Sequence, residues 1–384
     1  MLRPKRIEER LHATRRWPGP ILSAYVPLEP EVVGADRAHV VTRVRSTFAA
    51  AGVPDDLTRR VADEVAKAAP TGRTLVVFEG PNDSERFVLP VDVPVVERTS
   101  GHFEAAYGER AYVAPLLLAL DHAEHLGVVF VDRERVRCFE TYLDDIEHLF
   151  SARSEPEPDQ PHVASSSKQV RPAYQAARDD AHQDRQREHR REVRTRFYDD
   201  VIVDLAAKLD AAGVERFIIV GPERAVNAFE RRLPTQLAER VAARTSSLST
   251  PDAAPSAVLD KLRPTIEQLV REREERVVDA VATNQGAVRG TAETLTALQR
   301  GRVDTVIVPW HPGAERTSFV ARSGWVGATR EDARAHGSGG PVDDVDLMEV
   351  LPALTERFGA DLTFILGDAR DRLGNGELAG ILRW

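Results

Sequence analysis

Gly127-Val128-Val129-Phe130-Val131, Arg135-Val136-Arg137-Cys138-Phe139 and Phe217-Ile218-Ile219-Val220-Gly221 are the apolar runs that decide the fold. Between the second and third lies a long charged stretch, from about Tyr174 to Asp210, closed by Gly213. Short apolar runs bounded by turn residues read as buried strands, and the charged stretch is long enough only for a helix. A helix between two buried strands is a βαβ-like unit. Asp132-Arg133 predicts a hairpin between the first two runs. Ahead of the helix, residues 151–172 carry Pro156, Pro158 and Pro161 with Glu155, Glu157 and Asp159, then Ser165-Ser166-Ser167. Such a composition buries no core and predicts a mobile loop.

The helix changes character along its length. Arg185, Arg187, Arg190, Arg191, Arg194 and Arg196 alternate with Asp184, Glu188 and Glu192, while Phe197, Val201, Leu205 and Leu209 repeat at helical spacing. The second half therefore packs on the sheet. The first half reads either as a solvated face laced by i,i+4 pairs or as a helix lying along a phosphate backbone, where the planar fork of Arg suits phosphate oxygens.

Working outward, Ile7–Arg16 reads as a helix, Ile21–Val26 as a strand, and Arg37–Ala51 and Leu57–Ala68 as helices. Thr74–Phe78 and Arg86–Pro90 read as a hairpin across Pro81-Asn82-Asp83-Ser84. Asp144–Phe150, Glu223–Arg232 and Leu237–Ala243 read as short helices. Past a Ser/Thr/Pro-rich joint at 245–255, Ile266, Leu269, Val270, Val277, Val278 and Val281 share one helical face that ends at Asn284-Gln285-Gly286. Thr291 is expected to cap the next helix, with Leu295 and Leu298 inward and Gly301 past its end. Val303–Val308 reads as a strand, Thr317–Val320 and Trp325–Thr329 as further short strands, Asp332–Asp344 as a Gly-rich acidic loop, Val345–Phe358 as a helix and Asp361–Leu366 as a strand. The expected architecture is α/β, in three small α/β domains spanning 1–120, 121–248 and 255–384.

At 384 residues, with 42% apolar and 29% charged residues, the chain can support two or three cores of roughly 100–200 residues each. A net charge of -9 argues against indiscriminate nucleic-acid binding through bulk charge, DNA included, and leaves room for local basic patches. The single cysteine, Cys138, allows no intramolecular disulfide and suits a reducing, cytoplasmic setting, where it reads as a buried structural thiol. No run approaches the ~18–20 apolar residues of a membrane span, and no signal peptide is read at the N-terminus.

Chemical motifs are sparse. The phosphate-binding Gly-x4-Gly-Lys-Ser/Thr loop, Cys-x-x-Cys and the Gly-x-Ser-x-Gly elbow are all missing. His122 and His125 stand three apart, and His182 and His189 seven apart, without assembled carboxylates; they read most simply as surface residues. Neither a cofactor, a metal site nor a catalytic residue is expected.

The segment Gly286-Ala287-Val288-Arg289-Gly290-Thr291-Ala292-Glu293-Thr294-Leu295-Thr296-Ala297-Leu298, continuing through Gly301-Arg302-Val303-Asp304-Thr305 into Val308, resembles the third domain of the class-1 release factor and Pelota superfamily. The terminal Leu378-Ala379-Gly380-Ile381-Leu382-Arg383-Trp384 resembles the close of that domain. Ala111–Leu117 and Val128–Glu140 look like the superfamily's bacterial branch, which includes the ribosome-hibernation factor Balon. The resemblance covers roughly residues 110–384. It implies a last domain built as an α/β/α sandwich similar to RNA-binding ribosomal proteins. It also implies binding at the ribosomal A site and a translational GTPase partner, elongation factor Tu in the hibernation relatives.

One departure bears on activity. Release factors carry Gly-Gly-Gln in the loop before the long helix. Here that stretch is Ser165-Ser166-Ser167-Lys168-Gln169-Val170-Arg171, with no glycine ahead of Gln169. Peptidyl-tRNA hydrolysis is therefore not expected, and hibernation or rescue is the implied task. The alternative is a peptidyl-tRNA hydrolase or tRNA-cleaving relative working through Gln169. Ribosomal RNA contacts are expected at Lys168, Gln169 and Arg171 in the loop, and at Arg178 and Arg185 on the helix. The loop reads equally as a solvated linker. Gly286, Arg289 and Gly290 are the expected partner contacts, the glycines letting backbone come close to RNA or protein. They serve equally as the stop of one helix and the start of the next.

Overall fold

The computed structural model describes residues 4–28, 37–67, 72–93, 104–154, 173–246, 254–283, 286–311, 316–337, 339–374 and 376–384. His125–Thr265 form one compact unit, and the flanking segments, up to Glu124 and from Ile266, form the other. Loop residues 155–172 lie outside the described residues.

In the 125–265 unit the sheet order is β7-β6-β5-β8-β9. The strands are β5 (Leu126–Val131), β6 (Arg135–Tyr142), β7 (Asp145–Arg153), β8 (Arg216–Val220) and β9 (Val241–Thr245). β5 to β7 run antiparallel in sequence order, while β8 is parallel to both β5 and β9. The long helix spans Ala173–Ala212. Tyr198, Val201, Ile202, Leu205 and Leu209 on it are buried with Val129, Val131, Val136, Cys138, Phe217 and Ile219 of the sheet. That is the amphipathic face the sequence predicts. Gly127 shows how close the helix comes: a Cβ there would meet Leu209 Cδ2 at 2.8 Å and Phe217 Cβ at 2.9 Å. Cys138 is fully buried, and its thiol is pushed up to about 12, by burial first and then by the neighbouring Glu140. It is the inert structural thiol expected.

Two expectations fail here. Residues 145–153 are a strand, not a helix. Ile146, Leu149 and Phe150 mimic helical spacing, yet Leu143 and Asp144 both take positive φ (51° and 55°) and turn the chain straight back along β6. Two left-handed central residues make a tight hairpin turn, and Leu-Asp carries none of the usual Asn-Gly signal. Likewise 237–243 is not one helix: a short turn of helix at Thr235–Ala238 gives way to β9 on the sheet edge.

In the flanking segments, a four-stranded sheet has the order β3-β2-β1-β4. Its strands are β1 (Ile21–Pro27), β2 (Thr74–Glu79), β3 (Ser84–Leu89) and β4 (Glu104–Gly108), with β2–β3 the predicted hairpin. Leu22, Ala24, Val26, Leu75 and Val77 pack under Val44, Phe48, Leu57, Val61 and Val65 of the helices Arg37–Ala50 and Asp55–Lys67. The alternate residues face the other side. There Tyr25 donates to the Tyr112 carbonyl (2.6 Å), and Tyr112 N donates to Ser23 Oγ (2.8 Å).

The C-terminal sheet has the order β10-β16-β11-β15. Its strands are β10 (Ala287–Arg289), β11 (Val303–Pro309), β15 (Asp361–Ile365) and β16 (Ala379–Leu382). One face packs Ile307, Ile365 and Ala379 against Val278 and Val281 of the helix Pro255–Ala282 and Ala369 of the helix Gly367–Leu373. The helices Thr291–Gln299 and Leu347–Phe358 cover the opposite face. The result is the α/β/α sandwich expected. Between β11 and the helix Leu347–Phe358, the expected Gly-rich loop instead contains the helix Arg330–His336 and β14 (Val342–Asp346). With β12 (Thr317–Ala321) and β13 (Val326–Gly327), β14 forms a small antiparallel sheet. β12 and β13 fall on the short strands read from the sequence, while Gly337, Gly339 and Gly340 hid the helix Arg330–His336 and β14. Asp346 starts the Leu347–Phe358 helix by accepting from Met348 N (2.9 Å).

Candidate nucleic-acid and partner interface

The corner between β10 and the helix Thr291–Gln299 gathers the expected partner-contact residues. Gly290, not Thr291, is the N-cap, at φ 100°, a conformation L side chains rarely adopt. A Cβ at Gly290 would lie 2.3 Å from Glu293 Oε2. The corner is tied to the last strand: Gly290 N donates to the Leu378 carbonyl (3.0 Å), and Leu378 N donates to Thr291 Oγ1 (3.3 Å). At the other end of β10, Gly286 takes φ 73°, is exposed, and has open space around a would-be Cβ. Arg289 is exposed and its Nη2 donates to the Val281 carbonyl (3.1 Å). The structure thus brings Gly286, Arg289 and Gly290 onto one short edge strand, with Arg289 bracing it to the preceding helix.

Beside that edge opens a shallow groove of about 320 Å³, lined by Val288, Ala292, Glu293, Thr296, Ala297, Arg300 and Arg302. Two guanidiniums, one carboxylate and an apolar floor suit an acidic or phosphate-bearing surface with a flat hydrophobic element. Arg300 and Arg302 were not singled out from the sequence. The signal was present in Arg300-Gly301-Arg302, where Gly301 at φ 69° stops the helix and leaves an arginine on either side.

The RNA-contact residues fare differently. Lys168, Gln169 and Arg171 lie outside the described residues. Arg178 and Arg185 fall on the long helix, two turns and so roughly 10 Å apart along its axis; their side chains also lie outside the described residues. Of the histidines read as surface residues, the side chains of His182 and His189 lie outside the described residues. His122 and His125 are half-buried: His122 Nε2 lies 2.9 Å from Glu274 Oε1, and His125 Nε2 lies 2.9 Å from Glu140 Oε1. Each has its own carboxylate, and among the described residues no group of His, Cys, Asp and Glu could hold a metal ion.

With this geometry in hand, residues 112–267 match the model of a protein family, bacterial archaeo-eukaryotic release factor family 10. The match covers the central segment of the chain, less than half of its length. That match agrees with the resemblance to the release factor and Pelota superfamily read from the sequence motifs. The release-factor-like segment takes in the apolar runs of β5, β6 and β8, the loop and the whole long helix. Among solved structures, an archaeal translation termination factor is similar at 17% identity, over 100% of this chain and 99% of that one, with a TM-score of 0.25. Archaeoglobus fulgidus Pelota is similar at 13% identity, over 82% and 80%, with a TM-score of 0.31. A Saccharomyces cerevisiae translation termination-like factor is similar at 10% identity, over 81% and 80%, with a TM-score of 0.41. No curated protein matches the sequence. Among the described residues, no helix is long and apolar enough to cross a membrane.

Proposed function

We propose that this release-factor-like protein is a ribosome-binding translation factor that occupies the A site in hibernation or rescue without releasing peptide. The observation that carries the reading is the family match over residues 112–267, combined with Ser165-Ser166-Ser167-Lys168-Gln169 where release factors have Gly-Gly-Gln. The chain acts as three domains, 1–120, 121–248 and 255–384. The segment 155–172 and the long helix meet ribosomal RNA through Lys168, Gln169, Arg171, Arg178 and Arg185; residues 151–153, read from the sequence as loop, are the end of β7. The Gly286–Gly290 edge and its groove meet a translational GTPase, elongation factor Tu or another.

A peptide-release assay on stalled ribosomes separates this reading from the hydrolase alternative. Binding without release is expected. Release that disappears in Gln169→Ala establishes the hydrolase instead. For the partner edge, Gly290→Ala forces a side chain into a left-handed conformation against Glu293 and is expected to cost about 1–2 kcal/mol of stability, read by thermal melting. The more tolerant Arg300→Glu is expected to leave the melt unchanged and weaken capture of the GTPase.

A further inference from the structure

β11 and β15 are the parallel pair of the C-terminal sheet, and their carboxyl ends, Pro309 and Ile365, lie side by side in register. Open α/β folds collect ligands in the crevice outside such strand ends. Three bases converge there. His311 follows β11, Arg316 immediately precedes β12, and Arg370 sits on the helix after β15. Arg316 Nη2 donates to the Pro309 carbonyl, and Arg370 Nη1 donates to the Trp310 carbonyl (3.4 Å), so both guanidiniums hang on the end of β11. A Cβ at Gly376 would meet His311 Nε2 at 3.5 Å and Arg316 Nη2 at 3.8 Å. Glycine at that position, with φ 69°, keeps the space beside both bases open.

The cluster is short of acceptors. Arg316 Nη1 and Trp310 Nε1 are buried donors without a hydrogen-bond partner among the described residues. Burial holds the Arg316 guanidinium below its ordinary range, with Asp346 pulling the other way. His311 is held down as well, by burial first and then by Arg370 and Arg316, against a smaller pull from Asp371. Among the described residues, two carboxylates pull on these bases, and each already has a partner, Asp371 within the cluster itself. Asp371 takes Arg370 Nε and Nη2 (2.9 and 2.8 Å), and Asp346 caps its helix through Met348 N. An oxyanion brings several acceptor lone pairs and a negative charge to paired guanidiniums, and it relieves both deficits at once.

We propose that the His311–Arg316–Arg370 cluster is a binding site for a phosphate group. The proposal does not rest on ribosome binding, and it is tested without ribosomes. Histidine Cε1–Hε1 resonances of the full chain are followed by NMR through pH titrations. The additions are inorganic phosphate, a short single-stranded ribo-oligonucleotide, and sodium chloride at matched ionic strength; His311 is assigned by its loss in His311→Gln. Phosphate or the oligonucleotide is expected to move the His311 resonance saturably and raise its pKa, and chloride is not. Arg316→Met and Arg370→Gln are each expected to weaken this binding about tenfold or more. Tighter binding of the oligonucleotide assigns the site to backbone phosphates of RNA, and tighter binding of inorganic phosphate assigns it to the free ion. A His311 response no larger with either phosphate source than with chloride overturns the proposal, as does a response unchanged in Arg370→Gln. Arg370→Gln reads the same binding at a second base, so the test does not depend on Arg316 alone.

Discussion

Two polar clusters flank β15 in opposite senses of charge. At one, the Phe364 amide donates to Asp121 Oδ2 (2.9 Å) and the Leu366 amide to Glu274 Oε1 (3.1 Å). His122 pairs with Glu274, and Arg273 lies 3.6 Å from both Asp121 and Glu124. At the other stand His311, Arg316 and Arg370. The first has carboxylate to spare, and burial raises the Asp121 carboxyl despite Arg273. The second has base to spare, and burial lowers both Arg316 and His311. Carboxylates that accept from sheet amides are building material: they fix the helix Ala114–Asp121 and the helix Pro255–Ala282 to the strand edge. Arg316 Nη1, without a partner among the described residues, is a donor that a ligand would satisfy, although Arg273 Nε in the first cluster is unpartnered among them too.

The largest effect expected from this contrast is at the first cluster. Arg273→Met removes the guanidinium beside Asp121 and Glu124 and is expected to cost about 3 kcal/mol in urea unfolding. A cost near zero would make the cluster a surface ornament and erase the contrast. At the second, Arg316→Met in phosphate-free buffer is expected to shift stability by less than about 1 kcal/mol, because a hydrophobic isostere removes an unsatisfied donor. A large loss would mean that the arginine is structural.

The smallest effect is in pH dependence. His311 is depressed in the folded state, so its share of stability is present above the unfolded value of about 6.5 and is lost as pH falls from there through its folded pKa. Asp121 is raised, so its share is present below the unfolded carboxyl value and is lost as pH rises through its folded pKa. His311→Gln is expected to flatten the stability profile below about pH 6.5 and leave the carboxyl range unchanged. Melting curves across pH check both signs.

Much of the scaffold was legible because apolar periodicity is a local signal. Val201, Leu205 and Leu209 announced the buried face of the long helix, and Thr74–Phe78 with Arg86–Pro90 announced the first hairpin. What was missed depended on tertiary pairing. Asp144–Phe150 looks helical until a left-handed Leu143-Asp144 turn lays residues 145–153 on β6. β14 holds Asp343, Asp344 and Asp346 in a strand only because β12 pairs with it. The candidate sites divide the same way. Gly286, Arg289 and Gly290 sit within one motif and could be read together. His311 and Arg316 are near neighbours in the chain, but Arg370 joins them only because two parallel strand ends lie side by side.

The central claim is ribosome binding without peptide release, and co-sedimentation with bacterial ribosomes, vacant and then carrying peptidyl-tRNA, tests it most directly across a salt series. The account predicts a stoichiometric complex with vacant ribosomes that weakens as salt rises, as contacts to RNA phosphates require, with peptidyl-tRNA left intact. Failure to co-sediment at low salt, with and without elongation factor Tu, would contradict it.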